Sequence, residues 1–234
     1  MTEPTPRPYL RYAVALAAGS LPLCVYLRTM APTVYGLDSA ELTTGAYVLG
    51  IVHSPGAPLF LLLAHVFTWL PVGDVGYRVN LVSACSGAAA VALSALLLER
   101  LTGRVLVAVA GSWLLAFSYY YWVSALAAEL YAPMALSIVV LLLLADVWRR
   151  RRQPWQLWLF TFIFGLALGN HMSLGAMAPG FAYLLLSDRT WPRLPVIAGA
   201  MLFGVAGACI YLYIPLRAAA GPPLDYARDF GVDA

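Results

Sequence analysis

Asp38 and Glu41 stand three residues apart in the stretch Tyr35-Gly-Leu-Asp-Ser-Ala-Glu41. A helix starting at Ser39 would place both carboxylates on its first turn, facing the same way. Two such groups can share acid–base chemistry on a bound hydroxyl. They can equally form a capping box, with Asp38 capping the helix and Glu41 reaching back to the cap amide. A second polar stretch follows at His53-Ser-Pro-Gly-Ala-Pro58. Further candidates are Arg78, Glu129, His171 and Arg217. Each has a plain alternative. Glu129 at a helix start interacts well with the helix dipole. Gly169-Asn170-His171 can be a tight turn, although a turn does not need histidine, and a histidine near a membrane is a functional candidate. Arg78 can meet a lipid headgroup or hold a substrate phosphate with its planar fork, and Arg217 is a parallel case. His53 can be a turn residue beside its Pro-Gly break. His65 is read as structural, and Tyr119 to Trp122 as an interfacial belt.

The elements that must position these groups are apolar. Of 234 residues 62% are hydrophobic and 11% charged, and the mean hydropathy is +0.80. That excludes an ordinary soluble domain. There is no lysine, and the formal charge of +3 comes from clustered arginines. Nucleic-acid binding needs a broad basic face and is not expected. Cys24, Cys85 and Cys209 lie in apolar runs, so no disulfide framework and no zinc site are expected. No H-E-x-x-H, D-x-D, phosphate-binding loop or dinucleotide loop is present, so no metal and no cofactor are expected.

The expected fold is an all-α polytopic membrane protein with seven transmembrane helices. The spans are 9–30, 79–98, 104–124, 130–148, 155–169, 171–186 and 194–215. The first is read as retained, because its apolar run is too long for a signal-peptide core. An amphipathic helix over 39–51 and an apolar one over 57–70 belong to the first exterior loop, residues 31–78. The second holds about 14 residues, against the ~20 needed to span. The arginines support this count. With the N-terminus cytoplasmic, Arg7, Arg11, Arg100, Arg104, Arg149 to Arg152, Arg189 and Arg193 all lie inside, ten of the fourteen. Were 57–70 to cross, eight of those ten would face outward, against the positive-inside rule. Asp38, Glu41, His53, Asp74, Arg78, Glu129, His171, Arg217 and Asp225 then converge on the exterior face. Glu3, Glu99, Asp146 and Asp188 fall inside, each near an arginine. Residues 1–217 form one module, and 218–234 an exterior, loosely ordered tail.

The motifs D-S-A-E, H-S-P-G-A-P-L, Y-R-V-N-L, A-E-L-Y-A, L-G-N-H-M-S and Y-L-Y-I-P-L-R-A-A-A-G-P-P-L occur in this order. Over residues 10 to 226 the chain resembles the bacterial domain-of-unknown-function family 2723, related to the plexin-type protein O-mannosyltransferase. That family belongs to the GT-C superfamily of glycosyltransferases. The resemblance implies a GT-C-like membrane module and transfer of a mannose-like sugar from a polyprenyl-phosphate donor to an acceptor hydroxyl, with inversion. Asp38 would be the general base, with Glu41 beside it. His53, Glu129 and His171 would line the sugar and acceptor pocket, and Arg78 or Arg217 would stabilise the leaving phosphate. The implied location is the bacterial inner (cytoplasmic) membrane, among membrane lipid. Relatives continue past the seventh span, so partner membrane subunits or a further C-terminal region are expected. The alternative function is a non-catalytic accessory subunit of a larger membrane complex. A carrier of lipid-linked sugar ranks last, because no polar residues stand mid-span.

Overall fold

A computed structural model describes residues 8–36, 38–187 and 192–229. Glu3, Arg7, Asp188 and Arg189, assigned to sides above, lie outside the described residues. The described chain is all-helical, and its one β-bridge joins Ile51 to Asp225. Among the described residues, four helices are long and apolar enough to cross a membrane: Tyr9–Thr29, Val75–Thr102, Tyr131–Arg151 and Leu194–Ala220. They fall on four of the seven expected spans. The other three are occupied by shorter helices. Residues 104–124, read as one span, divide into Val105–Ala116 and Tyr119–Ser124, because Ser118 takes extended backbone angles between them. Pro154–Leu168 holds 15 residues, about 22 Å at 1.5 Å per residue. The stretch 171–186 opens with a 3₁₀ turn, Met172–Met177, before a helix over Ala178–Leu186.

In chain order the helices are α1 (Pro8–Thr29), α2 (Asp38–Val48), α3 (Pro58–Phe67), α4 (Val75–Thr102), α5 (Val105–Ala116), α6 (Tyr119–Ser124), α7 (Tyr131–Arg151), α8 (Pro154–Leu168), α9 (Ala178–Leu186), α10 (Leu194–Ala208), α11 (Tyr213–Ala220) and α12 (Tyr226–Asp229). At ten residues α3 extends only about 15 Å, half the ~30 Å hydrocarbon core. α4 is the central element and packs against α1, α5 and α7, while α10 packs along α8 and α8 along α7. One buried cluster joins α2 and α3 to α4 through Leu42, Phe60, Leu61, Val79 and Val82. Another fills α7 to α10 around Leu141, Trp148, Phe160 and Phe181.

Charge separates along the bundle. At the C-terminal end of α4, Glu99 meets Arg11 of α1 at 3.1 Å. Beside it Asp146 of α7 binds Arg100 at 2.6 Å and Arg150 at 2.7 Å. Asp38, Glu41, His53 and Glu129 gather at the opposite end, around the start of α4. A cavity of about 710 Å³ between α8, α9 and α10 is lined by apolar groups such as Leu157, Phe164, Leu185 and Ile197. It offers no group for acid–base chemistry.

The boundary placed at 217 falls inside α11, and the segment beyond it folds back onto the loop after α2. Ile51 N–H donates to Leu224 O (2.8 Å), and Tyr226 N–H donates to Ile51 O (2.9 Å).

Candidate functional site

The helix expected at Ser39 begins at Asp38, and both acids occupy its first turn. Glu41 does not reach back as a capping-box partner. Its Oε1 accepts from His53 N–H (2.5 Å), and its Oε2 pairs with His53 Nδ1 (2.7 Å). A carboxylate only accepts, so Nδ1 is the donor in this pair. Asp38 is exposed beside this pair. One ligand atom from each of Asp38, Glu41 and His53 lies within 4.8 Å of the others, spacing that could hold a metal ion. No metal motif in the sequence announced this, because Asp38 and His53 are 15 positions apart and only the fold joins them.

The loop carrying His53 is held from the far end of the chain. Tyr213 OH donates to Gly50 O (2.7 Å). Arg217 donates from Nε to Leu49 O (2.7 Å) and from its terminal nitrogen to Val48 O (3.4 Å). These are carbonyls at the end of α2, where a helix lacks internal partners and welcomes a cation. The Tyr226 ring meets His53 edge-on at 6.1 Å.

Glu129 stands half-buried just ahead of α7. Ser83 Oγ accepts from its N–H and donates to its C=O, both at 3.1 Å. Burial, and then the charge of Asp38, push its carboxyl above the usual carboxylate range. The two acids, 91 positions apart, therefore lie close enough for their charges to interact. The ionised form of Glu129 is penalised in the folded state. That penalty is complete above its folded pKa and gone below its unfolded one. Glu129→Gln is accordingly expected to raise the melting temperature at neutral pH, by an amount that shrinks toward pH 4. A gain independent of pH in thermal-shift measurements would contradict this.

His171 is joined to the same end. Its Nδ1 accepts from Ser173 N–H (3.2 Å) and lies 2.7 Å from Ser173 Oγ. Its ring packs on Tyr131 at 5.7 Å between centroids, two residues after Glu129. Asn170 Nδ2 donates to Leu130 O (3.0 Å), and Leu59 N–H donates to Gly169 O (2.9 Å). The second bond ties the His171 turn to the helix that follows the His53 loop.

Arg78 is anchored to the loop beside it. It donates to Val72 O (2.8 Å), Thr68 O (2.9 Å) and Gly73 O (3.0 Å). The loop between α3 and α4 supplies those carbonyls. Both arginines read as phosphate ligands thus spend N–H groups on backbone carbonyls. His65 Nδ1 lies 2.8 Å from Ala46 O, binding α3 to α2, which fits its structural reading. Of the aromatic belt, Tyr119 and Tyr120 are exposed, whereas Tyr121 OH donates to Gly87 O (2.8 Å). Asn80, Ser83 and Tyr226 were not singled out from the sequence. Only the helical spacing of Asn80 and Ser83, three apart at the start of an apolar run, could have marked them.

Two curated relatives extend along most of this chain. It is 30% identical over 216 residues to the protein O-mannosyl-transferase TMEM260 of Mus musculus, covering 88% of this chain and 30% of that protein. It is 23% identical over 211 residues to the tmem260 protein O-mannosyl-transferase of Dictyostelium discoideum, covering 81% and 26%. The chain therefore spans less than a third of the length of these relatives. No solved structure matches it. The model of the protein O-mannosyl-transferase TMEM260 N-terminal domain matches residues 38–194, from the first acid of the site to the start of α10. By that match, this membrane chain belongs to the TMEM260 N-terminal domain family.

Proposed function

We propose that the chain is the catalytic membrane module of a glycosyltransferase. It moves a mannose-like sugar from a polyprenyl-phosphate donor to an acceptor hydroxyl, with inversion at the anomeric carbon. Carrying this reading is the convergence of Asp38, Glu41, His53 and Glu129, from three separate segments, at one end of the bundle. The names of the relatives support mannose as the sugar and a protein hydroxyl as the acceptor.

Asp38 takes the acceptor proton while the hydroxyl oxygen attacks the anomeric carbon and the sugar–phosphate bond breaks. Glu41 holds His53 in one tautomer, and Glu129 and His171 line the pocket for sugar and acceptor. The phosphate leaves as an anion and needs charge stabilisation, not a proton. The N–H groups of Arg78 and Arg217 not engaged with the backbone would supply it. In the membrane we place the N-terminus on the cytoplasmic side and the site on the exterior face. α2 and α3 then lie at the interface and seven segments cross, the shorter apolar helices among them.

A second reading is an accessory module without turnover, working with further membrane subunits. The backbone engagement of both arginines favours it. The experiment that separates the two supplies membranes containing the protein with polyprenyl-phosphate mannose and a serine-containing peptide. Transfer with the anomeric configuration opposite to the donor's supports the catalytic module. Retained configuration overturns inversion, and absence of transfer above control membranes leaves the accessory reading.

A further inference from the structure

We propose that one face of α4 sets the separation of Asp38 and Glu129, with Asn80 as the positioning residue at its centre. The inference rests on the proposed transferase for its kinetic consequence, but its geometry stands on its own contacts. Gly76, Asn80 and Ser83 are spaced by four and three, so they share one helix face. A Cβ at Gly76 would fall 2.2 Å from Val34 N and 2.7 Å from Thr33 C. The backbone of Thr33–Val34, four to five positions before Asp38, therefore lies directly on the helix. Asp74, which caps α4, accepts from Thr33 Oγ1 in the same place.

Asn80 is fully buried. Its Nδ2 donates to Ala31 O and Thr33 O, both at 3.0 Å, and its Oδ1 accepts from Ala128 N–H at 2.8 Å. One amide group therefore bonds the strand of chain leading to Asp38 and the residue next to Glu129. Both of its donors are used and point opposite to its acceptor, an arrangement that neither Asp nor Leu of similar size can reproduce. Ser83, one turn further along, grips Glu129 N–H and C=O with a single hydroxyl. The two segments also meet directly, Ala31 N–H donating to Leu126 O (2.8 Å), and α4 is the surface on which both rest. The electrostatic effect of Asp38 on Glu129 agrees with that placement.

Filling the needs of a buried loop is the alternative role for Asn80, and it predicts lower stability with catalysis untouched. A positioning role predicts that turnover falls while KM for the donor holds, since a displacement of about 1 Å at reacting groups can cost on the order of 100-fold. The test uses Asn80→Ala and Ser83→Ala in the full chain, in detergent micelles and in membranes. Amide hydrogen exchange should rise in Asn80→Ala over 38–42 and over 127–131 together, with α8 and α10 unchanged. With polyprenyl-phosphate mannose as donor, turnover should fall tenfold or more at constant KM. Faster exchange at 127–131 without any change over 38–42 overturns the proposal, and so does wild-type turnover in Asn80→Ala. If Asn80→Ala does not fold, Ser83→Ala decides, because its slower turnover at constant KM is expected and wild-type turnover rejects the proposal. If the wild-type protein transfers no sugar, the transferase reading fails, and the exchange pattern alone decides the positioning role.

Discussion

Asp38→Asn is expected to lower sugar transfer by about 100- to 10,000-fold, the usual contribution of a general base, with KM for the donor little changed. Asparagine keeps the shape of the side chain and removes its basic oxygen. The case for Asp38 over its neighbours is one of availability. Glu41 has one oxygen on His53 N–H and the other on His53 Nδ1. Glu129 is pushed toward its neutral form by burial and by Asp38 itself. Asp38 is the exposed acid of the three. Glu41→Gln provides the comparison: it frees His53 to turn and weakens transfer less than Asp38→Asn does. Radiolabelled transfer by membranes, measured across donor concentrations, checks both. Transfer by Asp38→Asn at the wild-type rate removes Asp38 as the base.

The pair Asp38 and Glu41 was legible because helix starts are local. An acid at the first position and another three residues on need only the chain between them. The non-spanning length of α3 was legible for a similar reason, since Pro58 opens it and turn residues close it within a short window. What Glu41 binds was not legible. The capping box competes with a contact 12 residues away, and the fold chose the distant partner. The backbone partners of the arginines were hidden in the same way. An arginine without a nearby acid reads as a ligand for something anionic, yet backbone carbonyls leave no mark in composition. Arg217 finds its acceptor 168 positions earlier, at the end of α2. Hydropathy also hid the break at Ser118, because a run that stays apolar averages over a two-residue interruption. Asn80 and Ser83 looked like ordinary polar residues near a span end. Their meaning lies in which two segments they join, and that is a property of the fold.

Gly207→Val is expected to part α8 from α10, with a large fall in melting temperature. A Cβ at Gly207 would stand 2.1 Å from Phe162 O and 2.8 Å from Leu166 N. Across the same interface, a Cβ at Gly165 would stand 2.2 Å from Gly204 O. These neighbours are backbone atoms, which cannot rotate aside as a flexible side chain would. Such contact between helix backbones is how glycine serves helix packing in membranes, where apolar burial alone drives little association. Overpacking a tight core costs about 1–3 kcal/mol, and valine at a backbone contact belongs at the upper end. The double variant Gly165→Val/Gly207→Val should lose little beyond Gly207→Val alone, because helices already parted no longer meet at Gly165. The damage should also reach one side of the site more than the other. Tyr211 OH, just beyond α10, donates to Leu168 O (2.8 Å) at the base of the His171 turn. Asp38, Glu41 and His53 rest on α2, α11 and the tail instead. Hydrogen exchange in Gly207→Val should therefore rise more over 165–177 than over 38–48. A variant that melts with the wild type, or one that loosens both segments equally, contradicts this division of the bundle.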